Sequence, residues 1–487
     1  MTIGPFSPEQ IHISSIVLDI PERISEKVLL ASDGQDTNVL ELVVYESIFN
    51  SYLTAELSMM EDQGIINSFK GTEKIVLTYR SSISPNMPMM EKSFRVDSIS
   101  DNIPVAGNPN MSLMKLHLIE DVAYFDKVNK INRGYQGYGE NIIRKILRSE
   151  LNKEVIITPG TKSSSQIPIK SNDAEDFYYW KPSYQGDIRY IAPWQTPFEI
   201  VNTILNRMTT EKGLPYFCYS TLNQNNLVLT DLESIIERES FNPNRPLVYS
   251  RARTSTDGVD GDDLAHTIGA IDETEKNHAH LLARLGAYGS RLESVNVNSS
   301  KSDSRFISME QQLANQIQQG VYKPVGRQRL NIFDNLTAIY NEEGFPKGGK
   351  TLSEYIGAVN FVVTGDTIDR TGDDKSVLSF AGQIKNEDHI LKVVRSSILR
   401  YLLANYITIQ MPGMIFSTPS LKSTVGNLVD INILKSDDGE PELSNPDRSG
   451  SFLILRTKHV FNVLDGLHNV QMDVAKVGSG SKNVLRG

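Results

Sequence analysis

The chain is nearly devoid of cysteine: Cys218 is the single one among 487 residues. No intramolecular disulfide can form, and a cysteine-based zinc site is excluded. This fits a reducing compartment or a protein that needs no covalent staples. Cys218 stands in the apolar run PYFCYST and reads as a small core residue, not a nucleophile. Long hydrophobic runs are lacking too. No stretch approaches the ~18 uninterrupted apolar residues of a membrane span, so no membrane insertion is expected. The first residues, MTIGPFSPEQ, carry no basic region followed by an apolar core, so no secretory signal is expected. Positive charge is in deficit: the formal net charge is −10, which argues against nucleic acid as a main partner.

Catalytic signatures are equally sparse. There is no HExxH and no GxSxG nucleophile elbow. His278 and His280 are two apart and form no metal set, so they read as exposed polar residues. The carboxylates Glu61, Asp62, Glu120 and Asp121 fall at strand ends, read as turn residues and solvated charges, and mark no glycosidase pair. The acidic loop Asp257–Asp263, DGVDGDD, offers oxygen ligands but lacks the closing Glu of a calcium loop. One motif is complete: GFPKGGKT satisfies G-x-x-x-x-G-K-[ST], with Gly344, Gly349, Lys350 and Thr351 as phosphate-loop candidates. Such a loop needs a buried strand before it and a helix after it. The preceding NIFDNLTAIYNEE reads as helical and polar at its end, so a solvated Gly/Lys turn is the better reading. Catalytic residues, cofactor and metal are therefore each expected to be absent, and an enzyme is disfavoured.

What is present is strand pattern. The hydrophobic fraction of 39% and charged fraction of 22% are those of an ordinary soluble globular protein, and the length suggests about three domains. Residues 11–121 hold seven short β-branched or alternating segments separated by breakers such as SDGQD and SPNMPMM, which predicts a sandwich or small barrel. Residues 122–250 read as α+β. Ile142, Ile146 and Leu147 share a helix face, and a second helix starts at Thr196 with Pro197 and the capping-box acid Glu199, ending at Gly213. PYFCYST and NNLVLTDL read as a hairpin.

The expected fold is mixed but mainly β (α+β): two similar antiparallel, tube-like β-barrels with helical and α+β insertions. The first barrel spans residues 1–121 and the α+β domain 122–250, whose strands 215–235 are candidates for returning to the first barrel. Residues 251–327 form an acidic linker and the first strands of the second barrel. Residues 328–400 form a helical insertion, with LSEYIGAV and DHILKVVRSSILRYLLA as helices. Residues 401–478 complete the second barrel and 479–487 form a flexible tail.

The second barrel is inferred from a repeat. Tyr52–Arg80 and Tyr406–Leu434 share one layout: a strand, a link, a glycine (Gly71, Gly426) and a second strand. A polar, Pro-containing loop follows each, then strands led by Phe94 and Phe452, then SLMKLHLIED and NVQMDVAKVG. Four strands thus recur in order with similar spacing, which favours duplication. The strands Tyr52–Met59, Glu73–Arg80, Tyr406–Gln410 and Asn427–Leu434 are the expected places for edge pairing with neighbouring subunits.

These residues carry a family resemblance. VLELVVYESIFNSYLTAEL, GIINSFKGTEKIVLTYRS and SFRVDSIS resemble the N-terminal region of the central baseplate hub protein of contractile-tailed (myovirus) bacteriophages, related to hubs of type VI secretion and tailocin assemblies. YGENIIRKIL with APWQTPFEIVNTILNRM resembles that family's second domain, and the stretch from STPSLKSTVGNLVDINIL to VQMDVAKV resembles its closing barrel. The resemblance implies a homotrimeric ring, one face meeting the sixfold tail tube or its tube-initiator protein and the other a trimeric spike or tail-lysozyme protein. It implies contacts with other baseplate proteins, and DNA only in passage through a central channel, which an acidic chain suits. It places the protein in the virion tail baseplate, assembled in the host cytoplasm. The segments around 251–280 and 311–385 depart from the family pattern.

Overall fold

The computed structural model describes residues 11–20, 28–32, 38–61, 64, 69–81, 89–105, 111–157, 187–210, 213–236, 238, 240–249, 265–272, 279–296, 301–309, 356–364, 386–404, 406–416, 425–434 and 448–479. Alternation builds the first seven strands: β1 (Ile11–Asp19), β2 (Val28–Ser32), β3 (Val39–Ser47), β4 (Thr54–Glu61), β5 (Lys74–Ser81), β6 (Met90–Pro104) and β7 (Ser112–Glu120). In β4, Ala55, Leu57 and Met59 point into the core while Thr54, Glu56 and Ser58 do not, the two-residue period of a sheet with one buried face. Leu57 and Met59, once buried, each contribute about 1.5–3 kcal/mol. All seven join one antiparallel sheet in the order β3-β4-β7-β6-β5-β1-β2 over a core that includes Leu57, Leu77, Tyr79 and Phe94.

The chain then turns helical. Helix α1 (Asp121–Val128) leads to β8 (Ile131–Tyr138), α2 (Gly139–Leu151) and β9 (Val155–Ile157); β10 (Asp187–Gln195) pairs with β8. Helix α3 (Pro197–Leu205) begins with the expected capping box. The Glu199 N–H donates to Thr196 Oγ1 at 3.2 Å and the Thr196 N–H donates to Glu199 Oε2 at 2.8 Å. The helix stops at Leu205, short of Gly213. The β-branched Thr209 bridges Pro215 instead, drawing the chain out of the helix, and Gly213 (φ +78°) serves the turn that follows. The hairpin β11 (Tyr216–Tyr219) with β12 (Leu227–Asp231) forms as expected, and β9 adds to it in parallel. Cys218 is buried there, and burial pushes its thiol up to about 12, as an inert core residue requires.

After α4 (Leu232–Ile236) the chain returns to the main sheet through β13 (Leu247–Tyr249) and β14 (Ala270–Asp272). The polar stretch 251–280 was expected to be a linker; its described end instead pairs β14 with the later strand β18 and buries Ala265 and Ile268. Helix α5 (Ala279–Arg284) precedes a separate sheet of β15 (Gly289–Asn296), β16 (Lys301–Ser308) and β17 (Ala358–Thr364). Of the helix expected over LSEYIGAV, Leu352–Tyr355 lie outside the described residues, Ile356 and Gly357 are not helical, and at Ala358 the β-branched run of β17 starts and pairs in parallel with β15. Helix α6 (Asn386–Ala404) buries Val394, Ile398 and Leu402 along one stripe. Strands β18 (Ile407–Pro412), β19 (Leu428–Ile433), β20 (Gly450–Asn462) and β21 (Leu467–Ser479) complete the main sheet.

The two strand sets are fused. The C-terminal half of β20 pairs with β3, so the main sheet runs continuously from β14 to β2. Strand β20 serves both cores: Phe452–Leu455 belong to one and Phe461 to the other.

Candidate assembly interface

The two strand sets pair alike in their hydrogen-bond ladders. In the first set β4 pairs β7, β7 pairs β6 and β6 pairs β5; in the second β18 pairs β21, β21 pairs β20 and β20 pairs β19, all antiparallel. The registers coincide residue by residue. Phe94 lies opposite Glu120, Val96 opposite Leu118 and, past a bulge, Ser98 opposite His117. Phe452 lies opposite Lys476, Ile454 opposite Val474 and, past a bulge, Arg456 opposite Asp473. Across the other edge Phe94 faces Ile75, and Phe452 faces Val429. Each bulge follows the residue where that neighbour stops, Arg95 or Leu453, which is where a bulge must bend the strand toward a new partner. Gly71 and Gly426 both take positive φ, +88° and +75°, ahead of β5 and β19. In the first set the buried Glu73 holds this turn by accepting the N–H groups of Lys70 and Gly71.

One detail of the expected alignment is corrected. Ala55 faces Leu118 as Ile407 faces Val474, so Tyr406 matches Thr54 and not Tyr52, a shift of two residues. An even shift keeps every side chain on its face. The two tyrosines do different work: Tyr52 packs on Phe198 of the α+β unit at 5.7 Å, whereas Tyr406 lies 6.0 Å from the Arg456 guanidinium.

The four segments expected to be edges are interior. Strand β4 lies between β3 and β7, β5 between β1 and β6, β18 between β14 and β21, and β19 between β13 and β20. Their symmetric alternation says which face is buried, and says nothing of how many neighbours flank them. The informative edges lie elsewhere. In the second set Arg456–Asn462, past the bulge, pairs with β3. In the first set the matching stretch Ser98–Pro104 pairs with β7 alone among the described residues. There Ile99 and Ile103 are exposed. Strand β14 matches β3 in its pairing with the next strand; just before it Thr267 bridges Val248 of β13 in parallel, and among the described residues no strand pairs with Ala270–Asp272 on the side away from β18. One edge-to-edge junction is thus made within the chain, and among the described residues Ser98–Pro104 and Ala270–Asp272, the two halves of an equivalent junction, are left open. An open ladder offers unpaired backbone donors and acceptors to another chain.

The closed junction is held by buried polar groups. His459 of β20 lies 3.5 Å from Glu46 of β3 through Nε2 and 3.1 Å from His468 Nε2 of β21 through Nδ1. The rings of Phe461 and His468 stack at 4.4 Å, and Gly413 packs on the His468 ring so closely that a Cβ would fall 2.1 Å from Nδ1. Burial, with His459 adding to it, holds the His468 pKa well below the ordinary histidine value. The loop between β11 and β12 enters this seam: Leu222 N–H donates to Glu46 Oε1, and Tyr79 Oη donates to Asn223 Oδ1 at 3.1 Å.

A second anchor ties the same loop to the first set. Lys92 Nζ and Glu120 Oε1 are 2.9 Å apart, both buried. Lys92 also donates to the carbonyls of Thr221 and Gln224, at 2.9 Å each, while Glu120 accepts Leu53 N–H at 3.1 Å and Ser220 Oγ–H at 3.0 Å. Glu120 was expected to be a solvated strand-end charge; the lysine opposite and two further donors let it be buried. Glu61 is buried as well.

The phosphate-loop candidates Gly344, Gly349, Lys350 and Thr351 lie outside the described residues, as do Asp62, Asp257–Asp263 and His278. Among the described residues no three histidine, cysteine or carboxylate side chains gather as a metal site. No helix among them is long and apolar enough to cross a membrane.

No protein-family model matches the chain, and no curated protein sequence matches it. Solved structures do resemble it along most of its length. A tail protein from Neisseria meningitidis MC58 is 8% identical with a TM-score of 0.46, covering 95% of this chain and 96% of that one. The 43 kDa tail protein of prophage MuSo2 from Shewanella oneidensis is 12% identical with a TM-score of 0.43, covering 95% and 98%. An E. coli component of the type VI secretion system, itself described as similar to T4 bacteriophage tail proteins, is 9% identical with a TM-score of 0.39, covering 92% and 76%. Its structural neighbours are phage and prophage tail proteins and components of type VI secretion.

Proposed function

We propose that the chain is a structural subunit of a phage-tail baseplate, the central hub, whose work is done by interfaces and not by turnover. The observation that supports this most is the matched pair of strand sets with one junction closed and its equivalent open. Pairing the Ser98–Pro104 stretch of one copy with β14 of the next repeats the internal β20–β3 contact between subunits. Repetition closes a ring in which each copy supplies two equivalent modules. The resemblance in sequence supplies the copy number: a homotrimer, presenting six modules to a sixfold tail tube or tube-initiator protein while staying threefold toward a trimeric spike. DNA would pass through the centre, other baseplate proteins would dock outside, and the protein would reside in the virion tail after assembly in the host cytoplasm.

Sedimentation equilibrium and electron-microscope images of the purified chain test this reading. A trimeric ring with threefold and near-sixfold faces is expected. A monomer that binds ATP, with binding lost in Lys350→Ala, would overturn it.

A further inference from the structure

The open edge of β6 is continued by exposed apolar side chains on the α+β unit. Helix α1 is held against β6 by the pairs Arg95–Asp121 at 2.5 Å and Lys127–Asp97 at 2.6 Å. Beside them Phe125 and Val128 are exposed, the latter at 67%. Three residues beyond Val128, Ile131 pairs with Gln195. The residue before Gln195 is Trp194, 68% exposed, sitting where the β8–β10 register slips. Trp194 also has φ +53°, one of two non-glycine residues with positive φ among those described. Left-handed backbone costs a residue with a Cβ on the order of 1–2 kcal/mol. A large aromatic held outward at that cost, next to Gln195 whose partner Ile131 closely follows the exposed Val128, is the arrangement of a hot-spot anchor beside an interface.

The rim charges suit one occupant. Lys127 is paired with Asp97, and Arg133 with Glu150 at 3.2 Å. The patch therefore shows little net charge of its own. A second copy of a chain carrying −10 would be repelled by an acidic surface, and a self-compensated apolar one accepts it. We infer that the subunit contact extends beyond the β6 edge across α1 to Trp194, which is buried against the neighbouring copy in the assembled ring. This rests on the ring reading above and adds the α+β unit to its interface.

Tryptophan emission tests it, because the chain has only two tryptophans and Trp180→Phe leaves Trp194 as the sole reporter. In the full-length Trp180→Phe chain, Trp194 emission should shift to shorter wavelength, and iodide quenching should fall severalfold, when the ring forms on concentration. Trp194→Gly relieves the backbone strain, so the melting temperature of the dissociated chain should hold or rise while the ring's dissociation constant rises about thirtyfold or more. A ring that forms with Trp194 still fully quenched, or that assembles unchanged with Trp194→Gly, overturns this inference and leaves the ring reading intact. A chain that stays monomeric at every concentration overturns both.

Discussion

The two strand sets share a register and differ in what their third strand meets. Past its bulge, β20 finds β3 and a seam of buried polar groups; past the equivalent bulge, β6 meets β7 alone among the described residues. The same backbone device therefore serves an intramolecular contact once and an open edge once. Matched modules with like edges cannot satisfy both within one chain, because joining the first pair leaves β14 at one end of the sheet and the open stretch of β6 separated from it by six strands.

Substitutions can break or sharpen that comparison. The largest effect is expected at the buried pair: Lys92→Met strands the Glu120 carboxylate and should lower unfolding free energy by about 3–5 kcal/mol in urea titration. Matched truncations should cost nearly alike, Phe94→Ala and Phe452→Ala each about 3–5 kcal/mol, since both rings are buried two residues before equivalent bulges. A clear inequality would mean that the modules share topology without sharing energetics. The two turn glycines should differ. Gly71→Ala meets open space and should cost about 1–2 kcal/mol of backbone strain. Gly426→Ala drives a Cβ to 2.1 Å from the Tyr219 hydroxyl and should cost about 3 kcal/mol or more. Acidity should act on the closed seam. The folded-state pKa of His468 lies below its unfolded value near 6.5, so the unfolded chain binds the proton first and stability falls as pH drops below about 6.5, by up to ~1.4 kcal/mol per unit. Urea titrations at successive pH values should show that slope reduced in His468→Gln. The smallest effect on the fold, within about 0.5 kcal/mol, is expected from Ile103→Lys on the open edge, where the same change should abolish ring formation in sedimentation.

The modules were legible because their signals are local. Alternation in Thr54–Glu61, glycines ahead of β5 and β19, and the capping box at Thr196 each follow from a few adjacent residues. Their partners were not legible. Strand β14 is three residues long and its role depends on β18, far along the chain, while β3 meets β20 across more than 400 residues. Periodicity marks a buried face and is silent about which strand lies alongside. The candidate edges were for that reason assigned to interior strands. The open one, FRVDSISDNIP, carried a fainter signal: isoleucines at 99 and 103 within a polar stretch that ends in proline.

The β3–β20 ladder also dictates an order of synthesis. Strand β3 is made more than 400 residues before its partner Arg456–Asn462. Until β20 is made, β3 waits with one side unpaired, and the loop Ser220–Gln224 that braces Lys92 has not been made when β6 appears. A nascent or truncated chain would thus display an adhesive strand that the finished one hides, and would be prone to pairing with its own kind off-pathway. Tying β3 to a strand made more than 400 residues later means that this edge is covered only once β20 has been made.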